Sequence, residues 1–159
     1  MIRRIENLAR DESGASIIEM GLMLPILGSL LIGMVDISRA YSAKLQLEQS
    51  AHRAIEKVQQ YNTTDSTYNT LQAEAVTAAQ AAGFTNVTNN DVTIDYWLEC
   101  NGTRQADYTT SCTSGQAYAR WVTIDITATF TPMFSSNRWP GSNSNGTYTL
   151  HGKAGLRTQ

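Results

Sequence analysis

The sequence predicts an α+β protein. A long N-terminal helix, transmembrane in its first half, is followed by a small domain with a second helix and an antiparallel β-sheet. Three observations carry this prediction. Apolar residues are concentrated in one run near the N-terminus, helical periodicity continues beyond that run, and the period changes to two from Asn90 onward. At 159 residues the chain can hold one modest domain and an accessory element.

The apolar run extends from Ala15 to Val35 and contains one ionisable group, Glu19. A bilayer core about 30 Å thick requires roughly 20 apolar residues in a helix, so the run predicts a transmembrane segment over residues 15–35. A buried helix of a soluble domain is disfavoured, because no other segment is apolar enough to surround this one. A cleaved secretory signal is disfavoured because the run exceeds the roughly 7–15 residues of a signal core.

Arginine and lysine residues on the two sides of the run bear on its orientation. Arg3, Arg4 and Arg10 precede it, while Arg39 and Lys44 follow it. The positive-inside bias is therefore slight, and it favours a cytoplasmic N-terminus.

The two cysteines, Cys100 and Cys112, lie in the polar segment ECNGTRQADYTTSC. Two cysteines that close a short polar loop favour a disulfide in an oxidising compartment, which agrees with a C-terminal domain outside the cytoplasm. Two unrelated reduced thiols are the alternative. A zinc site is disfavoured, since there is no CxxC motif and His52 and His151 are distant in sequence. No metal or cofactor is expected.

Helical periodicity continues past the apolar run. Small and apolar residues recur at steps of three and four, and most charged residues lie off this stripe. The stripe comprises Ala40, Ala43, Leu47, Ala51, Ala54, Ile55 and Val58. We therefore expect one helix over residues 15–60, about 70 Å long at ~1.5 Å per residue. Pro25 lies inside it and is expected to kink it or open its hydrogen bonding.

The distal domain is expected to cover residues 61–159. The stretch YNTTDSTYN ends the long helix, and Asp65 or Ser66 is expected to cap a second helix that Gly83 terminates. Alternating residues in DVTIDYWLEC and YARWVTIDITATFTPMF predict two strands, the second ended by Pro132. After the turn-rich loop SSNRWPGSNSNG, TYTLHGKAGL predicts a short last strand.

Glu19 raises the question of function, because a carboxylate inside a bilayer costs about 2.5–3.5 kcal/mol on insertion scales and usually has a partner. If the chain were cut between Gly14 and Ala15, the new α-amino group would begin the helix one turn before Glu19. It could then pair with Glu19 of a neighbouring subunit.

This arrangement resembles that of type IV pilins, and the sequence is most similar to the TadE-like pseudopilins of the tight-adherence (Tad, or Flp) pilus. The resemblance rests on a short polar leader ending at Gly14, on GASIIEMGLMLP with Glu19 and Pro25, and on the helix that follows. It covers about the first 60 residues. The position after the glutamate is often aromatic in this family and is Met20 here.

The resemblance implies a function and a set of partners. A prepilin peptidase would remove the leader, residues 1–14, and Glu19 would guide the subunit into a helical bundle by meeting the amino group of Ala15 on a neighbour. The protein would be a minor pilin acting in pilus assembly, surface attachment and biofilm formation. Its further partners would be the major Flp pilin, other TadE/TadF-like minor pilins, the inner-membrane Tad assembly platform and membrane lipid.

The same resemblance implies a location. The protein would be a single-pass protein of the bacterial inner membrane, with a cytoplasmic N-terminus and a periplasmic C-terminal domain, and its incorporation into an extracellular pilus is compatible with this placement. The alternative is an unprocessed, membrane-anchored binding or scaffold protein. In that case Glu19 would lie near the cytoplasmic headgroups and Gly14 would have no role.

Enzymatic activity and nucleic-acid binding are not expected. A Ser–His–Asp set could be drawn from Ser111, His151 and Asp125, but no G-x-S-x-G, phosphate-binding or H-E-x-x-H motif supports it. The net charge is −2 and basic residues do not cluster beyond the leader, which disfavours binding to nucleic acid.

The aromatic residues divide into two groups. Tyr96 and Trp121 lie in predicted strands of a small domain, where core packing is the expected role. Trp139 lies in a polar loop beside Arg138, so an exposed position and contact with an external surface form the hypothesis for it.

Overall fold

The computed structural model describes residues 15–60 and 70–158. Helix α1 spans Ala15–Gln60, helix α2 spans Leu71–Ala81, and a short 3₁₀ turn follows at Asn89–Asp91. The strands are β1 (Val92–Cys100), β2 (Thr103–Arg104), β3 (Tyr118–Phe130) and β4 (Tyr148–Arg157). They form one antiparallel sheet in the order β2-β1-β3-β4, so the expected α+β class is confirmed.

The chain divides into two compact units between Arg39 and Ala40. In the first unit the described residues belong to α1, which continues through Pro25. Proline has no backbone N–H, so the carbonyl of Gly21, four residues earlier, lacks its usual helical donor. The second unit contains the remainder of α1, helix α2 and the sheet.

The core of the second unit is built from the faces that the sequence pattern predicts. Residues 47–58 of α1 contribute the apolar stripe, while Ala40 and Ala43 at its start are half-buried. Val92 begins the inward face of β1, and alternate residues of β3 from Val122 to Ala128 form that of the central strand. The buried cluster comprises Leu47, Ala51, Ala54, Ile55, Val58, Leu71, Ala75, Ala79, Val87, Val92, Val122, Ile124, Ile126, Ala128 and Ala154.

One hydroxyl group links the two helices. Ser50 is 1% exposed, and its Oγ donates to the carbonyl oxygen of Gln46 at 2.8 Å or of Ala78 in α2 at 3.3 Å. Lys57 of α1 also forms an ion pair with Glu74 of α2. The buried hydroxyl is therefore satisfied by helix carbonyls, as a buried polar group requires.

Helix α1 approaches strand β4 closely at Gly152. A Cβ atom at this residue would lie 2.5 Å from the backbone carbon and oxygen of Leu47 and 2.8 Å from the amide nitrogen of Glu48. Because backbone atoms cannot move aside as a flexible side chain can, only glycine allows this approach. The other glycine of the strand, Gly155, would place a Cβ 3.2 Å from the Cγ2 of Thr123.

Two details differ from the predicted elements, and one agrees. Helix α2 begins after Thr70, which makes no side-chain capping bond, and the predicted caps Asp65 and Ser66 lie outside the described residues. Strand β4 has ten residues and is not short. Gly83 does follow the end of α2 with φ of 102°, as expected of a residue in the left-handed region.

Strand β2 is absent from the prediction, although the sequence contains a signal for it. Cys100 pairs with Thr103, so Asn101 and Gly102 form a two-residue hairpin loop, with φ of 48° and 79°. Positive φ at both loop residues is what a type I′ turn requires, and Asn-Gly is its preferred dipeptide. The two residues of β2 are too few to show an alternating pattern of their own.

Replacing Gly152 by alanine is expected to destabilise the second unit by about 3 kcal/mol, because the added methyl group meets the backbone of α1. The matched change Gly155→Ala should cost less than about 1 kcal/mol, since it meets only a side-chain methyl. Denaturant unfolding of the full chain in detergent, followed by tryptophan emission, measures both. Equal losses of stability in the two variants would show that the contact at Leu47 is not a constraint.

Candidate functional site

The first candidate site is the N-terminal part of α1, which exposes apolar side chains around its whole circumference. Most large apolar residues between Ile17 and Val35 are at least 49% exposed. An 18-residue window of this helix has a mean hydropathy of 2.0, with none of it buried, so its length and composition suit a membrane span. In water this exposed surface would be strongly unfavourable, whereas a lipid bilayer or a bundle of apolar helices would satisfy it.

Glu19 interrupts this surface close to its start. Ala15 is the first residue of α1 and Glu19 lies one turn later, with its side chain exposed. Residues four apart lie on one face of a helix, about 6 Å apart along its axis. The predicted processing position Gly14 lies outside the described residues. The pairing of Glu19 with an amino group at residue 15 stays a prediction.

The apolar surface ends at an ion pair. Asp36 and Arg39 lie one turn apart, and a guanidinium nitrogen of Arg39 donates to a carboxylate oxygen of Asp36 at 3.3 Å. The side chain of Arg39 is 51% exposed. Charged groups therefore return to the helix surface immediately after Val35, as they do where a helix leaves an apolar environment.

The second unit contains the predicted disulfide. Cys100 and Cys112 are bonded, with their Cα atoms 5.6 Å apart and 12 residues apart in sequence. The bond joins the end of β1 to the loop that precedes β3. Both described cysteines are thus used in one covalent link, and that link closes the polar segment at this end of the sheet.

A pair of stacked tryptophans lies on the sheet face opposite the core. Trp97 of β1 and Trp121 of β3 are register partners, and their rings are 6.1 Å apart with an interplanar angle of 12°. Both indole N–H groups donate to the carboxylate of Glu99, at 2.9 Å and 3.1 Å. The guanidinium of Arg104 lies 4.8 Å from the centroid of Trp97 and donates to both oxygens of Asp95 at 2.9 Å.

The expected core role of Trp121 is therefore wrong, while Tyr96 does pack against the core. The alternation itself contained the signal, because Trp121 has the opposite parity to the buried Val122. The cluster of Trp97, Trp121 and Glu99 forms because β1 and β3 pair in one particular register. The sequence of a single strand does not reveal that register. The cluster ties β1 to β3 on the face that the helices do not cover.

The structure brings together only part of the Ser–His–Asp set. Nδ1 of His151 lies 3.1 Å from one carboxylate oxygen of Asp125, and Nζ of Lys153 lies 3.2 Å from the other. Ser111, on the loop closed by the disulfide, lines a cavity together with Leu98 of β1. Asp125 lines a different cavity together with Lys153. Ser111 is thereby not placed beside the His–Asp pair. Residues 15–60 and 70–158 also contain no group of three His, Cys, Asp or Glu side chains suited to a metal ion.

Two carboxyl groups with shifted pKa values belong to turns. The hydroxyl of Thr88, and secondarily its amide, hydrogen-bond the carboxylate of Asp91 and lower its pKa. The amide and hydroxyl of Thr109 similarly lower the pKa of Asp107. Both carboxylates are stabilised in the charged form by local capping bonds, which is a structural role.

These features define the class of the protein: a chain with an exposed apolar N-terminal helix and a disulfide-bonded α+β domain. Residues 14–55 match the family model described as TadE-like protein. The resemblance to TadE-like proteins seen in the sequence is confirmed over these residues. The match covers α1 and not the sheet. No curated protein and no solved structure matches the chain.

The family match indicates a general class of function. The match to this family suggests a component of the Tad pilus. The apolar helix within the matched residues fits a single-pass membrane anchor. Such a match implies pilus-system proteins as the general class of partner.

Removing the disulfide is expected to weaken the second unit. Changing Cys100 and Cys112 to serine should lower the free energy of unfolding by about 3 kcal/mol. Without the cross-link, the unfolded chain regains conformational entropy that the disulfide removes. Denaturant unfolding with and without reductant measures this loss, and Ser111→Ala in the same loop is the control. If reduced and oxidised wild-type protein unfold at the same denaturant concentration, the bond does not stabilise the fold.

Proposed function

We propose that the protein is a minor pilin, or pseudopilin, of a Tad pilus, processed after Gly14 and inserted into the assembly through α1. The observation that carries this proposal is the position of Glu19. It is the one ionisable residue between Ala15 and Val35, and it lies one turn from the start of a helix whose apolar surface is open.

Helix electrostatics explain why an amino terminus at Ala15 would need a partner. The N-terminus of a helix carries a partial positive charge, so an α-amino cation placed there is unfavourable and attracts a carboxylate. The Glu19 carboxylate of a neighbouring subunit can supply it. The pair removes two unpaired charges from an apolar environment, and it also sets the axial register between adjacent helices.

The remaining apolar surface would then complete the assembly. Side chains from Ile17 to Val35 would pack against other pilin helices or lipid, with Pro25 locally relaxing the helix. The second unit would lie outside the bundle, in the periplasm or on an extracellular fibre. The presence of this unit supports a minor pilin over a major one, because major Flp pilins are much shorter chains that lack a sizeable distal domain.

The partners and location follow from this role. A prepilin peptidase would remove residues 1–14 at the cytoplasmic face of the inner membrane. The mature chain would contact the assembly platform, the major Flp pilin and other TadE/TadF-like minor pilins. It would act in pilus assembly, and through the pilus in surface attachment and biofilm formation.

Replacing Glu19 by alanine tests the role of its carboxylate. Leaving the partner amino group buried and unpaired costs about 3–5 kcal/mol, so co-purification with the major pilin should fall by on the order of a hundredfold to several thousandfold. Glu56→Ala is the matched control, since Glu56 is an exposed glutamate later on the same helix. The amounts of protein in the membrane and in sheared pili are compared by quantitative immunoblotting.

A specific loss from pili, with membrane levels unchanged, supports the assembly role of Glu19. Equal incorporation of Glu19→Ala, Glu56→Ala and wild type would contradict it. A membrane-anchored binding or scaffold protein predicts that second result, because its Glu19 would lie among headgroups and pair with nothing.

A further inference from the structure

The segment between β3 and β4 exposes an unusual group of side chains. This connecting loop, residues 131–147, contains Met133, Phe134 and Trp139, which are 61%, 61% and 56% exposed. Outside α1, Tyr118 is the one other large apolar side chain of comparable exposure among the described residues. Outside α1, the exposed large apolar side chains of the described residues are thus concentrated in one loop.

The backbone of the connecting loop is fixed at Trp139. Its N–H donates to the carbonyl oxygen of Ser136 at 3.3 Å. Its carbonyl oxygen accepts from both the amide (3.2 Å) and the hydroxyl (2.8 Å) of Ser142. The hydroxyl of Ser136 also accepts from the amide of Arg138 at 3.2 Å. The exposed indole is therefore held out by an ordered turn.

The base of the connecting loop is closed in the same way. The side-chain amide of Asn143 donates to the hydroxyls of Thr147 and Thr149, at 3.0 Å and 3.2 Å. Gly146 has φ of 77°, and a Cβ there would lie 2.8 Å from the amide nitrogen of Ser136. The two arms of the loop pack backbone to backbone. Ordering of the loop is completed within the fold, so binding would not have to provide it.

The charge of the connecting loop favours an anionic partner. Arg138, adjacent to Trp139, is its single charged residue, whereas the whole chain has a net charge of −2. A second copy docked symmetrically through this loop would bring Arg138 against its own counterpart. A lipid surface instead offers phosphate groups to the guanidinium and an apolar boundary to the rings, the environment in which tryptophan and arginine are favoured.

We propose that the connecting loop docks on an anionic bilayer surface, with Phe134 and Trp139 inserted among the headgroups and Arg138 against lipid phosphate. This inference rests on the membrane anchor of the proposed function, because α1 would keep the second unit tethered to a bilayer and raise its effective concentration there. In this proposal, the external surface that Trp139 contacts is a lipid bilayer.

The test uses the full chain reconstituted in vesicles that contain brominated lipid, which quenches indoles that reach the bilayer. Trp139 is one of three tryptophans, so wild-type emission should fall by up to about one third. Trp139→Phe should remove this quenched component, leaving the emission of Trp97 and Trp121. The component should be larger with one third phosphatidylglycerol than with phosphatidylcholine alone.

Two variants separate the charge of Arg138 from the effect of removing any exposed arginine. Arg138→Gln should remove the dependence on phosphatidylglycerol, whereas Arg53→Gln, an exposed arginine on α1, should leave it unchanged. Quenching that does not depend on phosphatidylglycerol would overturn the assignment of Arg138 to lipid phosphate.

Flotation of the vesicles after alkaline extraction tests the anchor independently. If the protein floats but wild type and Trp139→Phe are quenched equally, the anchor is present and the loop does not dock. That result would overturn the proposal and leave the anchor intact. The exposed side chains would then face a protein partner. Protein that does not float would overturn the anchor and, with it, the inference that depends on it.

Discussion

One helix has to satisfy two environments, and most of the structure depends on how it does so. From Ile17 to Val35 the surface of α1 is apolar around its circumference, which only lipid or other apolar helices can satisfy. From Ala40 onward the apolar residues narrow to one stripe, and that stripe forms part of the core of the second unit. Gly152 then permits the backbone of β4 to meet the backbone of α1 directly at Leu47 and Glu48, with no side chain between them at that point. The apolar surface of residues 17–35 has no part in this core, and it is therefore open to lipid or to other apolar helices.

The sequence could predict what depends on local periodicity. Helix α1, the inward faces of β1 and β3 and the disulfide partners follow from spacing within single segments, and all are present in the structure. What could not be predicted depends on register between segments. The shared use of Glu99 by Trp97 and Trp121 requires β1 and β3 to pair residue for residue, and the close contact at Gly152 requires α1 to cross β4 at one point. Strand β2 is an intermediate case, because Asn101-Gly102 is a recognisable hairpin signal attached to a strand too short to identify.

The functional residues divide in the same way. Glu19 stands out in the sequence because a carboxylate is costly in an apolar run, and its significance needs no tertiary contact. The connecting loop is the opposite case. The sequence indicates an exposed Trp139 beside Arg138, but only the hydrogen bonds that fix Ser136, Trp139 and Ser142 show that the indole is displayed from an ordered turn. The proposed assembly role of the apolar helix and the proposed surface contact of the loop are compatible, since the two features lie in separate units.

Processing at Gly14 is the central claim, because it creates the amino group that gives Glu19 a partner. The most direct test is intact-mass spectrometry of the protein recovered from membranes of cells that contain an active prepilin peptidase. The account predicts a chain that begins at Ala15, with or without a methyl group on its amine. A chain that still begins at Met1 would contradict it and leave an unprocessed membrane anchor, whose function would lie in the second unit alone.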